Sequence, residues 1–363
     1  MRRPARRARR MGGPWAGDTE GAIRKVSRLR PCIRGHAFRA VRDPCGRYPF
    51  GATCFSGWRY RMGRRPLDRR RSMKIGVSSY SYSRAVRDGR LGFLDIPAKA
   101  REQGFDVLEF STFSLPAGET PLTFAPKVRE ACDKAGIPVA NYTIGADFLR
   151  GSGGDWKAEA QRLQDEVRVA RILGAPGMRH DATGGFPPGH RGPRGFDDAL
   201  PVLAKGCRAV TEFAAEQGLR TMVENHGFFC QDSARLEKLA NAVDHPNFGL
   251  LIDMGNFLCA DEDPARAVGL LLPYAFHCHA KDFQVKPGTA PNPGQGWFQS
   301  RAGNYLRGSI IGHGDVPVIQ CLRLLKKGGY DGVLSIEFEG MEDPLTGIAV
   351  GLENLRRFVK ELG

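Results

Sequence analysis

The sequence predicts an α/β protein whose main part, residues 73–363, forms a single closed (β/α)8 TIM barrel. Three observations support this fold class. Short apolar runs alternate eight times with segments of helical periodicity, glycines follow predicted helices where chains reverse direction, and polar side chains gather at the ends of the predicted strands. Residues 1–72 precede the barrel and have a different composition.

Eight short runs rich in apolar or β-branched residues are predicted as strands, because runs of this length and composition are typical of buried parallel strands. In chain order they are Lys74–Ser78, Phe105–Ser111, Pro138–Ile144, Ala175–Asp181, Arg220–Asn225, Phe248–Met254, Ala275–Asp282 and Gly332–Glu339. Regular alternation with helices implies parallel strands joined by helical crossovers.

Segments with helical periodicity fill the intervals between the strands. They are Leu94–Gln103, Phe124–Lys134, Trp156–Leu173, Phe196–Gln217, Ser233–Val243, Pro264–Leu272, Val318–Lys327 and Gly347–Leu362. Gly104 and Gly174 follow two of these helices, where a left-handed residue favours glycine. Asp155 and Asp232 stand at N-cap positions, and Pro264 lies in a first turn.

A doubly wound open sheet is the alternative architecture for this alternation of strands and helices. That fold normally places a glycine-rich phosphate loop directly after the first strand. Here residues 79–83 read SYSYS, and no GxGxxG motif is present. Eight units in 291 residues also match the size of a closed barrel.

Residues 1–72 form an Arg-rich extension with 21 Lys and Arg against 4 Asp and Glu, a net charge of +17. The other 291 residues have 33 and 35, a net charge of −2. Without sustained periodicity the extension is predicted to be disordered, because it buries too little apolar surface. It is a basic tail, a targeting peptide or the product of a start codon placed upstream of Met73. We favour the last, since a strand-like run starts at Met73 and no apolar signal core follows the first arginines.

Composition also restricts the partners and the compartment. The near-neutral charge of the barrel region disfavours a nucleic-acid partner, and no apolar run of about 18 residues predicts a membrane span. The nine cysteines include no CxxC pair. Without a signal peptide, we expect free thiols and a cytoplasmic location. A small-molecule substrate is expected, and a homo-oligomer stays open.

Acidic and imidazole side chains stand at the ends of neighbouring predicted strands. Glu224, Asp253, His279 and Glu337 come from the fifth, sixth, seventh and eighth strands, and the second strand offers Glu109. Catalytic groups of such barrels lie at the carboxyl ends of the strands, and buried charges need partners. The four residues therefore predict a site for one divalent metal ion, Mn²⁺, Mg²⁺, Co²⁺ or Zn²⁺.

Side-chain alternation along a strand places His277 and His279 on one face. We prefer His279 as the ligand because it lies nearer the carboxyl end, with His277 one layer deeper. Glu337 and Glu339 also share a face, and Glu337 follows the apolar run directly.

The motifs VENHG, LIDMGN, HAKD and SIEFEG, in this order, resemble the sugar phosphate isomerase/epimerase family, the xylose isomerase-like TIM barrels, over residues 73–363. The resemblance implies Glu224, Asp253, His279 and Glu337 as metal ligands, and the two glutamates as catalytic acid and base. Asn256 stands where many relatives have histidine, which weakens the transfer of a specific substrate. No glycine-rich cradle supports a phosphate group on the substrate.

Several further side chains are candidates for substrate binding. Arg179, His180, His226 and Lys281 lie at strand ends, and Trp297 and His313 belong to the long segment 283–314, which we predict to be a lid. His313 is equally suited to capping the next helix. Tyr80, Tyr82 and Phe113 are expected to form an apolar wall or to pack at the rim.

These residues favour a metal-dependent epimerase or isomerase of a sugar, keto-sugar or cyclitol. Glu224 and Glu337 would remove and return a proton beside a carbonyl, and the metal would stabilise the enediolate. A dehydratase of the inosose or dehydroshikimate type needs the same enolate and is the alternative. An apurinic endonuclease is disfavoured by the charge of −2, and a non-catalytic sugar-binding barrel by the complete ligand set.

Overall fold

Eight parallel strands close into a barrel in the computed structural model, which describes residues 73–363. The predicted Arg-rich extension, residues 1–72, lies outside the described residues. The eighth barrel strand pairs with the first, with Val77 opposite Ile336, and this pairing closes the sheet. The predicted fold class is therefore confirmed, and the open doubly wound sheet is excluded.

Residues 73–363 contain eleven strands, of which the first seven and the last form the barrel. They are β1 (Lys74–Ser78), β2 (Val107–Phe110), β3 (Val139–Ile144), β4 (Gly177–His180), β5 (Arg220–Glu224), β6 (Phe248–Asp253), β7 (Ala275–Ala280), β8 (Asp282–Lys286), β9 (Phe298–Gln299), β10 (Tyr305–Ser309) and β11 (Val333–Ile336). Around the barrel their order is β1-β11-β7-β6-β5-β4-β3-β2.

Nine α-helices accompany these strands in the described residues, and most of them pack against the outside of the barrel. They are α1 (Ser83–Arg87), α2 (Ile96–Gln103), α3 (Pro121–Ala135), α4 (Trp156–Leu173), α5 (Phe196–Glu216), α6 (Ser233–Val243), α7 (Pro264–Leu271), α8 (Val318–Lys327) and α9 (Pro344–Glu361). None of them is long and apolar enough to cross a membrane.

Helix ends follow the local signals in the sequence. Asp155 and Asp232 accept backbone hydrogen bonds at the N-termini of α4 and α6, as predicted. Gly104 and Gly174 end α2 and α4 with φ of 96° and 72°. The last helix begins three residues before its predicted start, because Asp343 accepts a hydrogen bond from Thr346 N–H and caps it.

The barrel core consists of apolar side chains between the strands and the helices. Leu108, Met178 and Val223 on the strands and Leu163 and Leu203 on the helices are fully buried. Each such side chain contributes roughly 1.5–3 kcal/mol to folding. All six cysteines of the described residues are buried and free.

The segment after β7, which was predicted to be a lid, contains regular secondary structure. It contains a three-stranded antiparallel sheet in the order β8-β10-β9. The buried carboxylate of Asp282 accepts hydrogen bonds from the backbone N–H groups of Gly312, Gly314 and Val316, and so ties both ends of the segment together. The predicted lid is thus an ordered hairpin structure beside the barrel mouth.

Candidate metal site and active site

Four strand ends bring the predicted metal ligands together at the carboxyl end of the barrel. Glu224 and Asp253 end β5 and β6, His279 lies near the end of β7, and Glu337 follows β11. His279 Nδ1 lies 3.7 Å from Glu224 Oε1, 3.6 Å from Asp253 Oδ2 and 3.6 Å from Glu337 Oε2. One ligand atom from each residue lies within 4.8 Å of every other.

The donor set fits a single divalent cation. Two ligands that each lie about 2.1 Å from one ion are at most about 4 Å apart, and the His279 distances of 3.6–3.7 Å satisfy this limit. His279 Nδ1 is buried and has no hydrogen-bond partner among the described residues. A buried nitrogen without a partner, directed toward three carboxylate oxygens, is the arrangement that a metal ion would complete.

Glu109 sets the direction of the His279 ring from behind. Its Oε1 lies 2.7 Å from His279 Nε2, and its Oε2 lies 2.9 Å from His277 Nε2. Asn141 Nδ2 donates a further hydrogen bond to Glu109 Oε2 at 3.2 Å. A carboxylate only accepts, so the proton of His279 belongs on Nε2, and Nδ1 keeps its lone pair for a metal.

Burial raises the pKa of Glu109, but the neighbouring His279 and His277 outweigh this effect and hold that pKa below its ordinary value. Glu109 is therefore ionised although it is fully buried. His277 lies one layer deeper than His279, as the strand alternation predicts, and its Nε2 is also 2.9 Å from Ser335 Oγ.

Lys281 supplies a buried positive charge to the same cluster. Its Nζ lies 2.6 Å from Glu337 Oε2, 3.1 Å from Asp253 Oδ2 and 3.3 Å from Glu339 Oε1. Burial raises the pKa of Glu337, yet the charges of Lys281 and His279 bring it well below its ordinary range. The structure thus makes Lys281 a counter-ion of the proposed metal ligands, in a buried position that differs from the predicted contact with substrate.

A second chain of charged contacts starts at the other oxygen of Glu224. Arg179 Nε lies 2.7 Å from Glu224 Oε2, and Arg179 Nη2 lies 2.9 Å from Asp181 Oδ1. The same Asp181 oxygen lies 2.9 Å from His226 Nδ1. Burial lowers the pKa of His226, but the hydrogen bond to Asp181 has the opposite effect, and the pKa of His226 lies above its ordinary value.

Both chains of contacts border one cavity of about 300 Å³ at the barrel mouth. Of the predicted site residues, Glu224, Glu337, Arg179 and His226 line it. Its remaining lining residues are Tyr80, Ser111, Thr112, Thr143, Ile144, Gly145, Asp181 and Glu339. The cavity therefore presents carboxylates, a guanidinium, an imidazole and hydroxyl groups to whatever enters it.

Besides Lys281, three other predicted substrate-binding residues do not line this cavity. His180 is fully buried on the helix side of β4, where Nδ1 contacts the carbonyl oxygen of Asp181 and the ring meets Phe148 edge-on at 5.8 Å. Burial lowers its pKa to about 4. Trp297 lies between Lys286 and Arg307 in the hairpin structure. The side chain of His313 is exposed, and its backbone N–H donates to Ile310.

Sequence reasoning assigned no role to Asp181, Thr143 or Glu339, although all three line the cavity. The side-chain alternation used for His277 and His279 on β7 could also have identified Asp181. Because side chains alternate along a strand, Arg179 and Asp181 share the inner face of β4 and His180 points the other way. Thr143 stands within an otherwise apolar strand and carries no distinctive signal.

Asn256 also has a role that its position in the sequence does not reveal. Its Nδ2 donates to Glu224 Oε1 at 2.9 Å, and its Oδ1 accepts from Lys281 Nζ at 3.2 Å. It therefore links Glu224 with the counter-ion of the other ligands. It is buried and does not line the cavity.

Comparison with known proteins agrees with the fold. The family model described as xylose isomerase-like TIM barrel matches residues 97–358. A xylose isomerase domain protein from Planctomyces limnophilus is 22% identical, with a TM-score of 0.60 over 80% of this chain and 99% of that chain. A 3-keto-D-glucoside 4-epimerase from E. coli is 17% identical, with a TM-score of 0.57 over 78% and 99%. The probable 3-DHS dehydratase of Bacillus anthracis is 17% identical, with a TM-score of 0.56 over 77% and 97%. No curated protein matches the sequence.

Proposed function

The chain belongs to the family of xylose isomerase-like TIM barrels, and on this premise we propose that it is a metal-dependent epimerase or isomerase of a sugar, keto-sugar or cyclitol. The observation that carries the proposal is His279 Nδ1, which has no hydrogen-bond partner within residues 73–363 and faces oxygens of Glu224, Asp253 and Glu337 at 3.6–3.7 Å. A polar cavity adjoins this cluster. Structural neighbours with sugar substrates support the same class.

Glu224, Asp253, His279 and Glu337 are the residues proposed to hold the metal ion. A bound divalent ion supplies positive charge that orients substrate oxygens and stabilises a developing enediolate. Asp253 and His279 are fully buried, whereas Glu224 and Glu337 border the cavity. Asp253 and His279 are therefore proposed to bind only the metal, and Glu224 and Glu337 to bind the metal and contact the substrate.

Glu224 and Glu337 are the proposed proton carriers. They stand on strands separated by β6 and β7, and each presents its carboxylate to the cavity. Epimerisation or isomerisation beside a carbonyl requires one base to take the proton and an acid to return it. Arg179 holds one oxygen of Glu224 at 2.7 Å, so this carboxylate is fixed in direction and stays close to a positive charge.

Substrate hydroxyl groups would be recognised by the polar groups around the cavity. Arg179 and His226 offer hydrogen-bond donors there, and Tyr80 offers an aromatic face. Thr143 offers a hydroxyl oxygen as acceptor, because its O–H donates to the carbonyl oxygen of Phe110. Lys281 does not line the cavity, and its proposed role is to neutralise the negative charge of the metal ligands Asp253 and Glu337. Trp297 and His313 remain proposals for contacts made by a segment that closes over bound substrate.

A dehydratase is the second candidate, and the pair of His226 and Asp181 favours it. The His226 side chain is half-exposed at the cavity while Asp181 holds its Nδ1 at 2.9 Å. A pair of this kind keeps an imidazole oriented and protonated, which suits a proton donor to a departing hydroxide. One structural neighbour is described as a probable dehydratase.

A single experiment distinguishes epimerisation or isomerisation from dehydration. Keto-sugars, free sugars and inososes are incubated in D₂O with the full chain and Mn²⁺, the metal is removed, and the products are analysed by mass spectrometry and NMR. An epimerase product carries solvent deuterium at a carbon beside the carbonyl and keeps its heavy-atom composition. A dehydratase product has lost one water. Absence of both solvent exchange and water loss across the panel contradicts the proposal.

A further inference from the structure

A second cavity of about 240 Å³ opens beside the main one, between the loops that follow β1 and β2. Its walls carry five hydroxyl side chains, from Ser79, Ser83, Ser111, Thr112 and Ser114. Nothing in the proposed chemistry of metal and glutamates uses this groove. Its position at the carboxyl end of the barrel nevertheless places it on the same face as the proposed active site.

The two cavities adjoin, because Ser111 and Thr112 line both of them. Ser79 holds these shared residues in place: its Oγ accepts the backbone N–H of Ser111 at 2.8 Å and lies 3.1 Å from Ser111 Oγ. Tyr80, next in the chain, lines the main cavity and is 45% exposed. A molecule longer than the main cavity would therefore reach the groove past Tyr80.

The polar groups of the groove are available for a ligand. The hydroxyl groups of Ser83, Thr112 and Ser114 make no hydrogen bond to any other group within residues 73–363, and all three residues are exposed. Hydroxyl groups both donate and accept, which matches the hydroxyl groups of a carbohydrate. Phe93, which is half-buried, also lines the groove and provides apolar surface, as the faces of a sugar ring require.

The charge of the groove disfavours an anionic occupant. Arg87 is the one charged side chain that lines it, and Arg87 Nε lies 3.8 Å from a carboxylate oxygen of Asp88. The guanidinium is 72% exposed, so solvent screens it as well. A phosphate or carboxylate would gain little there, whereas a neutral polyhydroxylated ring matches the hydroxyl walls.

We propose that this groove is a subsite for a second sugar ring, so that the substrate is a glycoside whose reacting ring, the ring that carries the carbonyl group, occupies the main cavity. The inference rests on the proposed function, because it assumes a sugar in the main cavity. That cavity of about 300 Å³ lies at the lower limit of small-molecule sites, ~300–1,000 Å³. It therefore suits one ring, and the groove of about 240 Å³ takes the next.

The test compares disaccharides with a monosaccharide in binding to the full chain loaded with Mg²⁺. Cellobiose, maltose and trehalose are titrated against D-glucose by calorimetry or ligand-observed NMR. At least one disaccharide should bind roughly 10-fold more tightly than glucose. In S114W and in S83F, which fill the groove from its two loops, this preference should disappear while the glucose affinity stays within about 2-fold. The control Q320W adds the same bulk at an exposed position of α8 and should keep the preference.

Equal affinities for glucose and all three disaccharides in the unmodified chain would overturn the subsite. A preference that survives both S114W and S83F would overturn it as well, as would a parallel loss of glucose binding in folded variants with unchanged circular dichroism. Failure of the proposed reaction can be distinguished from failure of the subsite. If no sugar exchanges hydrogen with D₂O but the disaccharide preference and its loss in S114W persist, the subsite stands and the reaction class is wrong.

Discussion

At the scale of single residues, the site depends on the hydrogen bonds and ion pairs that each proposed metal ligand makes with neighbouring side chains. His279 has one nitrogen bonded to Glu109 at 2.7 Å and the other facing three carboxylates. Glu224 has one oxygen 2.9 Å from Asn256 and the other 2.7 Å from Arg179. Supporting contacts of this kind determine the ligands' protonation and direction, and both affect metal affinity.

Glu109→Gln should weaken metal binding about 10- to 100-fold, which is the usual cost of losing a carboxylate partner of a histidine ligand. The neutral amide no longer stabilises the tautomer with the proton on Nε2, and its NH₂ group competes for the histidines. The dissociation constant of Zn²⁺ or Mn²⁺, measured by competition with a chelator, checks this. Glu353→Gln on the exposed side of α9 is the control. Unchanged affinity in folded E109Q would contradict the positioning role of Glu109.

Glu337→Gln and Glu224→Gln should each lower kcat by about 10²- to 10⁴-fold, the range for a lost general acid or base. Both variants keep one oxygen for the metal, so affinity should fall only modestly. If the glutamates divide the two proton transfers, one variant still exchanges the substrate hydrogen with D₂O without forming product, and the other does neither. Near-normal turnover of either variant at saturating Mn²⁺ would exclude the mechanism with two carboxylates.

At the scale of elements, side-chain alternation decides which residues reach the cavity. At the end of β4, Arg179 and the following Asp181 border the cavity, and His180 between them packs against Phe148. On β7, the same alternation places His277 and His279 on one side, where both contact Glu109. The antiparallel sheet of β8, β9 and β10 lies apart from this pattern and is anchored by Asp282.

Trp297→Ala should raise KM several-fold and leave metal affinity nearly unchanged, if the hairpin segment closes over substrate. The indole packs beside Lys286 at 5.5 Å and Arg307 at 5.8 Å, contacts worth roughly 0.5–1 kcal/mol each at exposed sites. Its loss would loosen the sheet without altering the ligands. Steady-state kinetics and metal titration on W297A and W297F, which keeps an aromatic ring, check this. Metal loss with unchanged KM would indicate a structural role instead.

At the scale of the whole molecule, the barrel closes entirely with described residues. Lys74 opposite Val333 and Val77 opposite Ile336 join the first strand to the last. Met73 is already part of the core, with 9% of its surface exposed. Four of the eight barrel strands supply the proposed ligands, so the metal site requires the closed barrel and would stabilise it in return.

A chain that starts at Met73 should keep the melting temperature of the full chain within about 2 °C, corresponding to less than ~1 kcal/mol of folding free energy. Its kcat/KM should also be unchanged, because every residue of the proposed site lies in the barrel. Differential scanning calorimetry and the activity assay compare the two chains directly. A large drop in either quantity would mean that residues 1–72 support the barrel or its site.

The fold class could be predicted from the amino-acid sequence, because alternation of apolar runs, helical periodicity and capping residues are local properties of the chain. Asp155, Asp232 and Gly174 mark helix ends through contacts a few residues away. The ligand candidates were also accessible, since Glu224, Asp253, His279 and Glu337 end consecutive barrel strands, and the carboxyl ends of parallel strands share one face.

The position and contacts of each of these side chains depend on the tertiary structure. Lys281 and Arg179 are both cations at strand ends, yet Lys281 is buried among the ligands and Arg179 borders the cavity. Glu109 and His279 are 170 residues apart in the chain and meet because β2 and β7 face each other across the barrel. Partners of this kind depend on strand register and on depth in the barrel, which are set by closure of the whole sheet and leave no local trace in the sequence.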